Sequence, residues 1–236
     1  MGLGRLFPIM ISATVCAAVL FPSVLFAQAC DGEQKTTTPA PPVNSDKQDL
    51  YLKQLKYAVS SDVDLILVGD SLAEFWDTDT LLPLRVVNLG VAGDGTQHVL
   101  WRLASPEWSK LRPRNVLIML GTNNMAWGDK PCAIIAGLVK VIERVASIWP
   151  SAQIGFLEIT PRGQGFLDYN DIRMQINAAI RRVPGIKKIN VDDEITCGWQ
   201  KGGSETCPNY TTGNVHFSSS GYGVILKSAK SVLFGK

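Results

Sequence analysis

The sequence predicts an α/β fold in which helices cover both faces of a parallel β-sheet. Five short apolar runs alternate with amphipathic segments along the 236 residues, and this alternation is typical of βαβ units. The first and third runs, VDLILVG and NVLIML, are apolar nearly throughout, as expected for strands that are buried on both faces. With 46% hydrophobic and 19% charged residues, the chain suits one domain with a sizeable core.

The runs predicted as strands each end where a polar or helical segment begins. They are VDLILVG, LRVVNLG, NVLIML, AQIGFLEI and IKKINV. The segments that follow them have apolar residues at helical spacing: SLAEFWDTDTLL, TQHVLWRLAS, AIIAGLVKVIERVASIW, YNDIRMQINAAIRRV and SSSGYGVILKSAKSVLF. One further helix is predicted ahead of the first strand, beginning with a capping box between Ser45 and Gln48.

Residues 1–29 have the pattern of a secretory signal peptide. Arg5 precedes a long apolar stretch, and the tripeptide AQA before Cys30 matches an A-x-A cleavage site. Two prolines within the stretch disfavour a permanent membrane helix. We therefore expect an exported protein, periplasmic or secreted. Cleavage here exposes Cys30, as in a lipoprotein, but Gln28 fits a lipobox poorly and disfavours a lipid anchor.

The segment after the signal peptide is predicted as a flexible linker over residues 30–47, because it is polar and contains several prolines. The folded domain is predicted over residues 48–236. The formal net charge of the chain is +2, and it falls to +1 without residues 1–29, whose only charge is Arg5. A chain so nearly neutral carries no general signal for nucleic acid or an anionic surface as partner.

The cysteines fit an oxidising compartment, where export would place them. Cys197 and Cys207 bracket a polar, glycine-containing loop and are predicted to form a disulfide. Cys132 is either free or paired with Cys30. No CxxC pattern or histidine cluster accompanies the cysteines, so neither a zinc site nor another cofactor is predicted.

Four candidate functional residues follow the predicted strands or precede the last helix. Ser71 comes directly after the first strand, Gly93 after the second and Asn123 after the third. His216 lies just before the last helix. Since the carboxyl ends of parallel strands lie at one edge of the sheet, where such folds bind ligands, we expect the four residues to converge.

These residue types fit acyl transfer from an ester. Ser71 can act as a nucleophile and His216 as its base, although a serine in this position also fits a helix N-cap. The N–H of Gly93 and the carboxamide of Asn123 can donate to a carbonyl oxygen that gains negative charge. Because glycine and asparagine are also common in turns and caps, the prediction of an active site rests on the occurrence of all four residues together. The sequence around Ser71 differs from the G-x-S-x-G elbow of α/β-hydrolases.

Four blocks of the sequence resemble, in order, the motif blocks of the SGNH or GDSL hydrolases. They are GDSL at 69–72, GVAGD around Gly93, GTNN at 121–124 and VHFSSSGY at 215–222. Within this superfamily, the chain looks most like the catalytic subunits of platelet-activating-factor acetylhydrolase. The resemblance implies a three-layer α/β/α, flavodoxin-like fold and hydrolysis of an O-acyl ester with a short acyl chain.

The same resemblance implies a role for each candidate residue. It makes Ser71 the nucleophile and His216 the base, and it makes Ser71 N–H, Gly93 and Asn123 the oxyanion hole. The sequence departs from the family in one place: relatives usually have aspartate three residues before the histidine, where this chain has Gly213. In a serine protease, disabling this acid lowers turnover by roughly 10⁴-fold.

Three hypotheses address the missing acid. A backbone carbonyl near Gly213 can accept the imidazole N–H of His216, because holding the tautomer requires an acceptor and not a charge. Alternatively, a carboxylate from Asp192, Asp193 or Glu194 reaches the imidazole. The third hypothesis is an impaired enzyme.

Other polar residues near the four blocks have structural interpretations. Asp70 is expected to make a structural hydrogen bond, His98 to pack or cap a helix, and Asp94 and Asn124 to brace the loops beside them. Arg162 follows the fourth strand and meets either substrate or solvent. Three tryptophans are candidates for the wall of the cleft or for the core: Trp76, Trp101 and Trp199.

The sequence thus predicts an exported serine ester hydrolase that needs no metal and acts on a small-molecule, carbohydrate or lipid ester. Two alternatives stay open at this stage. One is an O-acyltransferase or deacetylase that acts on cell-surface or extracellular polysaccharide. The other is a catalytically impaired binding module of the cell envelope, motivated by Gly213.

Overall fold

The structure is a computed structural model that describes residues 30–59, 61–199, 202 and 207–235. The predicted signal peptide, residues 1–29, lies outside the described residues. Within the described part of the chain, no helix has the length and apolar character needed to cross a membrane.

The centre of the molecule is a five-stranded sheet in which every neighbouring pair is parallel. The strands are β1 (Ser61–Gly69), β2 (Val86–Gly90), β3 (Leu111–Met119), β4 (Gln153–Leu157) and β5 (Lys187–Ile189). Their order is β2-β1-β3-β4-β5. The direction of the chain across the sheet therefore reverses at β1, between β2 and β3, and such reversals are where α/β sheets bind ligands.

Helices cover both faces of the sheet, which confirms the predicted three-layer α/β/α fold. They are α1 (Glu33–Thr37), α2 (Ser45–Gln54), α3 (Ser71–Glu74), α4 (Thr96–Arg102), α5 (Thr122–Ala126), α6 (Pro131–Ile148), α7 (Asn170–Ile180), α8 (Asp192–Ile195) and α9 (Ser219–Ala229). One buried cluster joins α2, α4, α6 and α7 to one face of the sheet. A second cluster joins α3, α8 and α9 to the other face.

The first helix after β1 is shorter than predicted. The segment 71–82 was expected to be one helix, but α3 ends at Glu74 and a separate 3₁₀ turn covers Thr78–Leu81. The carboxylate of Asp77 accepts the N–H of Asp79 at 3.0 Å and so caps the new turn. An aspartate in this position favours a fresh helix start over continuation, because it satisfies a backbone donor locally.

The cap of α2 also differs from the predicted one. Asn44 takes the N-cap position, with its Oδ1 accepting the N–H of Asp46 at 2.7 Å. Ser45 is therefore the first residue of the helix and not its cap. The side chain of Gln48 donates to the carbonyl of Pro42 at 2.8 Å, which connects the helix to the segment before it.

Part of the segment predicted as a flexible linker is packed against the domain. Within residues 30–47, α1 lies on α6, and Thr36 is completely buried. The Thr36 hydroxyl donates to the carbonyl of Ala133 at 2.6 Å, and its own carbonyl accepts the hydroxyl of Thr96 at 2.8 Å. A polar composition does not reveal such pairing, since the partners lie 60 to 97 residues away in sequence.

Two disulfides are present. Cys197 pairs with Cys207, as predicted, and Cys30 pairs with Cys132, which decides between the two alternatives for Cys132. The Cys30 sulfur is thus bonded to a second sulfur, and it is not available for a thioether-linked lipid. The structure therefore argues against a lipid anchor at Cys30 and supplies a covalent attachment for α1.

Candidate active site

The structure brings Ser71 and His216 together. The Nε2 of His216 lies 3.0 Å from the Oγ of Ser71, although 145 residues separate them in sequence. Ser71 is the first residue of α3 and nearly buried, at 6% exposure. His216 lies in the loop just before α9. The pair has the distance at which a hydroxyl proton can pass to an imidazole.

Asp70, next to Ser71, is the N-cap of α3. Its Oδ1 accepts the N–H of Leu72 at 2.9 Å, as expected for a structural role. Its Oδ2 is buried and has no partner among the described residues. Burial raises the pKa of Asp70 to about 7, against the opposing hydrogen bond from Leu72. The carboxyl beside the serine is therefore only partly ionised at neutral pH.

Backbone bonds and packing hold the loop that carries His216. The N–H of Thr211 donates to the His216 carbonyl at 2.9 Å, and the N–H of Gly163 donates to the carbonyl of Asn214, also at 2.9 Å. The ring of Phe75 packs edge-on against the imidazole with 5.2 Å between ring centroids. These contacts fix the backbone of the loop and pack the imidazole against Phe75.

No carboxylate takes the place of the missing acid within the described part of the chain. There, the imidazole bonds to Ser71 and its Nδ1 has neither a carboxylate nor a carbonyl partner. Asp192 is instead bonded to the guanidinium of Arg173 at 2.7 Å. Burial lowers the pKa of His216, and the charge of Arg162 lowers it further. The imidazole is therefore neutral at pH 7, the state that a general base requires.

Gly93 lies beyond β2 in a backbone conformation that needs glycine. Its φ is +74°, and the Nζ of Lys47 occupies the space that a Cβ would need. The preceding residue, Ala92, donates its N–H to a carboxylate oxygen of Glu74, in α3. Gly93 is therefore fixed relative to the helix that begins with Ser71, and it has no side chain of its own beside its N–H.

Asn123 lies in the first turn of α5, beyond β3. Its Nδ2 donates to the carbonyl of Asp94 at 2.8 Å, which ties it to the loop of Gly93. A carboxamide nitrogen carries two protons, so this bond leaves one for another acceptor. The structure thus connects Gly93 to both Ser71 and Asn123 through hydrogen-bonded neighbours.

Arg102 is a supporting residue that sequence reasoning missed. Its side chain is completely buried and donates to Asp94 at 2.8 Å, to the carbonyl of Leu89 at 2.7 Å and to the carbonyl of Gly69 at 3.1 Å. These bonds join the ends of β1 and β2 to the loop of Gly93. A signal was available, because Arg102 lies three residues after the buried Val99, on the apolar face of α4.

The other polar residues have the bracing roles expected from the sequence. His98 accepts the N–H of Gly95 at its Nδ1 over 3.1 Å, and burial lowers its pKa. Asn124 accepts the N–H of Thr96 at 3.0 Å and donates to Asp129 at 2.9 Å. His98 and Asn124 are thus hydrogen-bonded within the loops around the site.

Of the two alternatives for the three tryptophans, the structure supports the core, and two other aromatic residues lie near the site. Trp76 is buried at 3% exposure and belongs to the core, while Trp101 and Trp199 pack against other core rings. Phe75 contacts the imidazole, and Tyr169 covers Arg162 with 5.9 Å between ring centroid and Cζ. Both are exposed, at 51% and 42%, so they are available to a substrate.

A separate apolar groove of about 560 Å³ lies between α6 and α7. Its lining, which includes Val139, Ile142 and Val183, contains none of the four candidate residues. Within the described residues, no group of three His, Cys, Asp or Glu side chains is arranged to hold a metal ion.

Known proteins similar to this chain share both its motifs and its fold. Residues 67–224 match the model of the GDSL-like lipase/acylhydrolase family. A human platelet-activating factor acetylhydrolase IB subunit alpha1 is 33% identical over 152 residues, which cover 61% of this chain and 64% of that subunit. This chain thus spans less than two thirds of the relative's length.

Solved structures with the same architecture are more distant in sequence. A Streptococcus pneumonia protein whose description relates it to platelet activating factor has a TM-score of 0.65 at 20% identity, covering 79% of this chain and 92% of its own. A lipolytic protein of the G-D-S-L family from Veillonella parvula has a TM-score of 0.59 at 17% identity, covering 74% and 99%. At these identities the likeness shows the fold.

Proposed function

Because the chain belongs to the GDSL-like lipase/acylhydrolase family, we propose that it is an exported serine ester hydrolase that removes a short O-acyl group through an acyl-enzyme. Family membership makes the chain a GDSL-type esterase. The proposal adds the catalytic residues, the covalent intermediate, the export and the length of the acyl group.

The proposal depends above all on the 3.0 Å distance between Ser71 Oγ and His216 Nε2. The neutral imidazole takes the hydroxyl proton while the oxygen attacks the acyl carbon. The carbonyl oxygen, now negative, accepts hydrogen bonds from the N–H groups of Ser71 and Gly93 and from the carboxamide of Asn123. His216 then gives its proton to the departing alcohol oxygen. Water, activated in the same way, releases the acid and restores Ser71.

We propose that Ser71 and His216 act as a dyad, without an acid at position 213. Packing against Phe75 and the backbone bonds of the loop orient the ring, and its lowered pKa keeps it neutral. The variant Gly213→Asp tests this point, because the space around Gly213 is open to a side chain, and Gly213→Ala is the control for the strain at φ +87°. A change in kcat of a few-fold is expected. Activity that appears only in the variant would show that the natural chain is impaired.

Export is supported by the pattern of residues 1–29 together with two disulfides, which persist in oxidising compartments. Expression of the full chain in a bacterium tests it directly. The expected product is a mature protein that begins after Ala29 and lies outside the cytoplasm. An uncleaved chain retained in the cytoplasm would contradict the proposal.

Labelling with a fluorophosphonate tests the nucleophile. The wild type is expected to form a covalent adduct at Ser71, and Ser71→Ala to form none. His216→Gln is expected to lose at least about 10³-fold in labelling rate. The exposed Ser151, replaced by alanine, is the matched control and should label like the wild type. A folded wild type that does not label would contradict covalent catalysis.

A series of para-nitrophenyl esters of increasing chain length, beside an acetylated polysaccharide, tests the acyl group. The highest kcat/KM is expected for the acetyl ester, by analogy with the acetylhydrolase subunits that the chain resembles. A maximum at long chains would contradict the short-acyl part of the proposal and leave the nucleophile unaffected.

A further inference from the structure

The guanidinium of Arg162 lies between α5 and the loop that carries His216. Its Nη1 donates to the Thr122 hydroxyl at 2.7 Å and to the Thr122 carbonyl at 3.4 Å. The next residue, Gly163, donates its N–H to the carbonyl of Asn214 at 2.9 Å. The cation is therefore held beside the imidazole, at the carboxyl end of the sheet.

Arg162 has no carboxylate partner among the described residues, whereas Arg102, Arg173 and Arg181 each form a salt bridge. Its Nε is buried without a hydrogen-bond partner. Burial raises the pKa of Asp70 to about 7, although Arg162 acts in the opposite direction, so this carboxyl is only a partial counter-charge. A half-buried guanidinium without a carboxylate partner has donors that can pair with an anion supplied by a ligand.

Tyr169 holds its ring over this guanidinium in a strained backbone conformation. Its φ is +57°, which is uncommon for a residue other than glycine. Such strain clusters at ligand sites, where the surrounding structure maintains it. A guanidinium stacked on an exposed aromatic ring is well suited to carboxylate or phosphate recognition, because its remaining N–H donors are fixed in direction.

A second cation lies at Gly93. Lys47 extends from α2 until its Nζ lies against the Gly93 backbone, and it forms no salt bridge with any described residue. Burial raises the pKa of Asp94, while Arg102 and Lys47 lower it; the carboxylate of Asp94 is already paired with Arg102. Lys47 is therefore a second cation at the site, beside the carboxylates of Asp94 and Glu74.

From these contacts, we propose that the esters that this chain hydrolyses carry an anionic group on the alcohol, and that Arg162 binds this anion. The inference depends on the proposed function, because it uses the direction of the reaction. His216 must return its proton to the alcohol oxygen, so the alcohol faces the imidazole. Arg162 lies on that side. A carboxylate, phosphate or sulfate on the alcohol has the chemistry to pair with it.

Three aryl acetates test the inference: the acetates of para-hydroxybenzoate, of para-hydroxyphenyl phosphate and of the neutral para-hydroxybenzamide. They are compared at about pH 8, where the imidazole is neutral in every variant. The wild type is expected to favour the anionic esters about 10- to 100-fold in kcat/KM, mainly through KM, as for a hydrogen bond to a charged group. The larger of the two anionic preferences identifies the anion.

The variant Arg162→Gln should bring the anionic-to-neutral ratio close to one, and Arg162→Lys should restore part of it. Arg144 is the matched control, because it too has no carboxylate partner among the described residues and donates to the carbonyls of Leu103 and Ala104; Arg144→Gln should keep the full ratio. The inference would be overturned by a wild type that does not prefer the anionic esters, or by an anionic-to-neutral ratio that is unchanged in both Arg162 variants. In either case, hydrolysis of the neutral ester would still uphold the proposed function. If the wild type hydrolysed none of the three esters, or did not react with the fluorophosphonate, both the inference and the proposed function would be overturned.

Discussion

The phenol of Tyr222 donates a 3.1 Å hydrogen bond to the carbonyl of Leu72, the residue after the candidate nucleophile. Tyr222 lies in α9, which begins three residues after His216, and its ring stacks on Trp76 with 5.1 Å between centroids. One side chain therefore links the helix of the serine to the helix of the histidine. We therefore expect the distance between the two candidate catalytic groups to depend on this link.

Removal of the phenol should loosen that link. Tyr222→Phe keeps the stacking on Trp76 and leaves the buried Leu72 carbonyl with one donor fewer, so the free energy of unfolding should fall by about 1 kcal/mol. The rate of fluorophosphonate labelling should fall several-fold. Thermal unfolding and labelling rates measure the two effects, with the exposed Tyr57→Phe as control. A variant that unfolds earlier but labels at the full rate would limit Tyr222 to stability.

Gly93→Ala should impair the reaction more than the fold. The added Cβ displaces the Lys47 amine and strains a backbone with φ +74°, so the N–H donor moves; the loss of one oxyanion donor typically lowers kcat about 10²–10³-fold. Gly128→Ala is the matched control, since Gly128 has φ +79° but open space around it. Both variants carry the same strain, and only Gly93→Ala should lose activity. Equal activity in the two variants would remove Gly93 from the oxyanion hole.

The fold and the proximity of Ser71 to His216 could be predicted from the sequence, because both predictions rest on local sequence patterns. Apolar runs mark the strands, and parallel strands place their carboxyl ends at one edge. The contacts of Lys47, Arg102 and Tyr169 were not predictable in the same way. Each depends on a partner that only the folded chain brings close, such as the Gly69 carbonyl that accepts from Arg102, 33 residues away.

The same reason explains the linker and the broken helix. Composition describes residues 30–47 correctly as polar, but it does not show that Thr36 is hydrogen-bonded to the Thr96 hydroxyl in α4 and to the Ala133 carbonyl in α6. Helical spacing continues through residues 71–82, whereas the capping bond of Asp77 ends that continuity. In residues 71–82, a local hydrogen bond thus ends a helix that the periodicity predicts to continue. In residues 30–47, tertiary hydrogen bonds order part of a segment that the composition predicts to be flexible.

The pH dependence of kcat/KM should reflect the lowered pKa of His216. A base acts when it is unprotonated, so a pKa below the ordinary 6.5 places the acid limb of the profile below pH 6.5. Burial is the larger cause and Arg162 the smaller, so Arg162→Gln should move the limb upward without restoring the ordinary value. Asp70, whose pKa burial raises to about 7, is another group that titrates near the serine.

Two variants assign that limb. In Asp70→Asn it should persist, since the limb belongs to the imidazole, and in Arg144→Gln it should not move. If the acid limb disappeared in Asp70→Asn, the titrating group would be Asp70 and not His216. A midpoint at or above pH 6.5 in the wild type would contradict the environment that the structure shows around His216.

The disulfide between Cys197 and Cys207 should support the reaction as well as the fold. Close to Cys207, Asn209 donates to the Glu194 carbonyl at 2.9 Å, and its own carbonyl accepts the N–H of Ser218 at 3.0 Å. These bonds lie at the two ends of the loop that carries His216, an imidazole to which the described residues supply no orienting acid. Replacing both cysteines by serine should therefore lower stability by roughly 3 kcal/mol, as for other short loops, and should also lower kcat.

The second disulfide provides the comparison. Cys30→Ser with Cys132→Ser releases a longer loop, with a sequence separation of 102, so its loss of stability should be at least as large. Its sulfurs attach α1 to α6 and do not hold the histidine loop, so kcat at a temperature where both variants are folded should fall less. If the Cys197 and Cys207 variant kept full kcat there, the imidazole would be oriented by Phe75 and the backbone bonds alone.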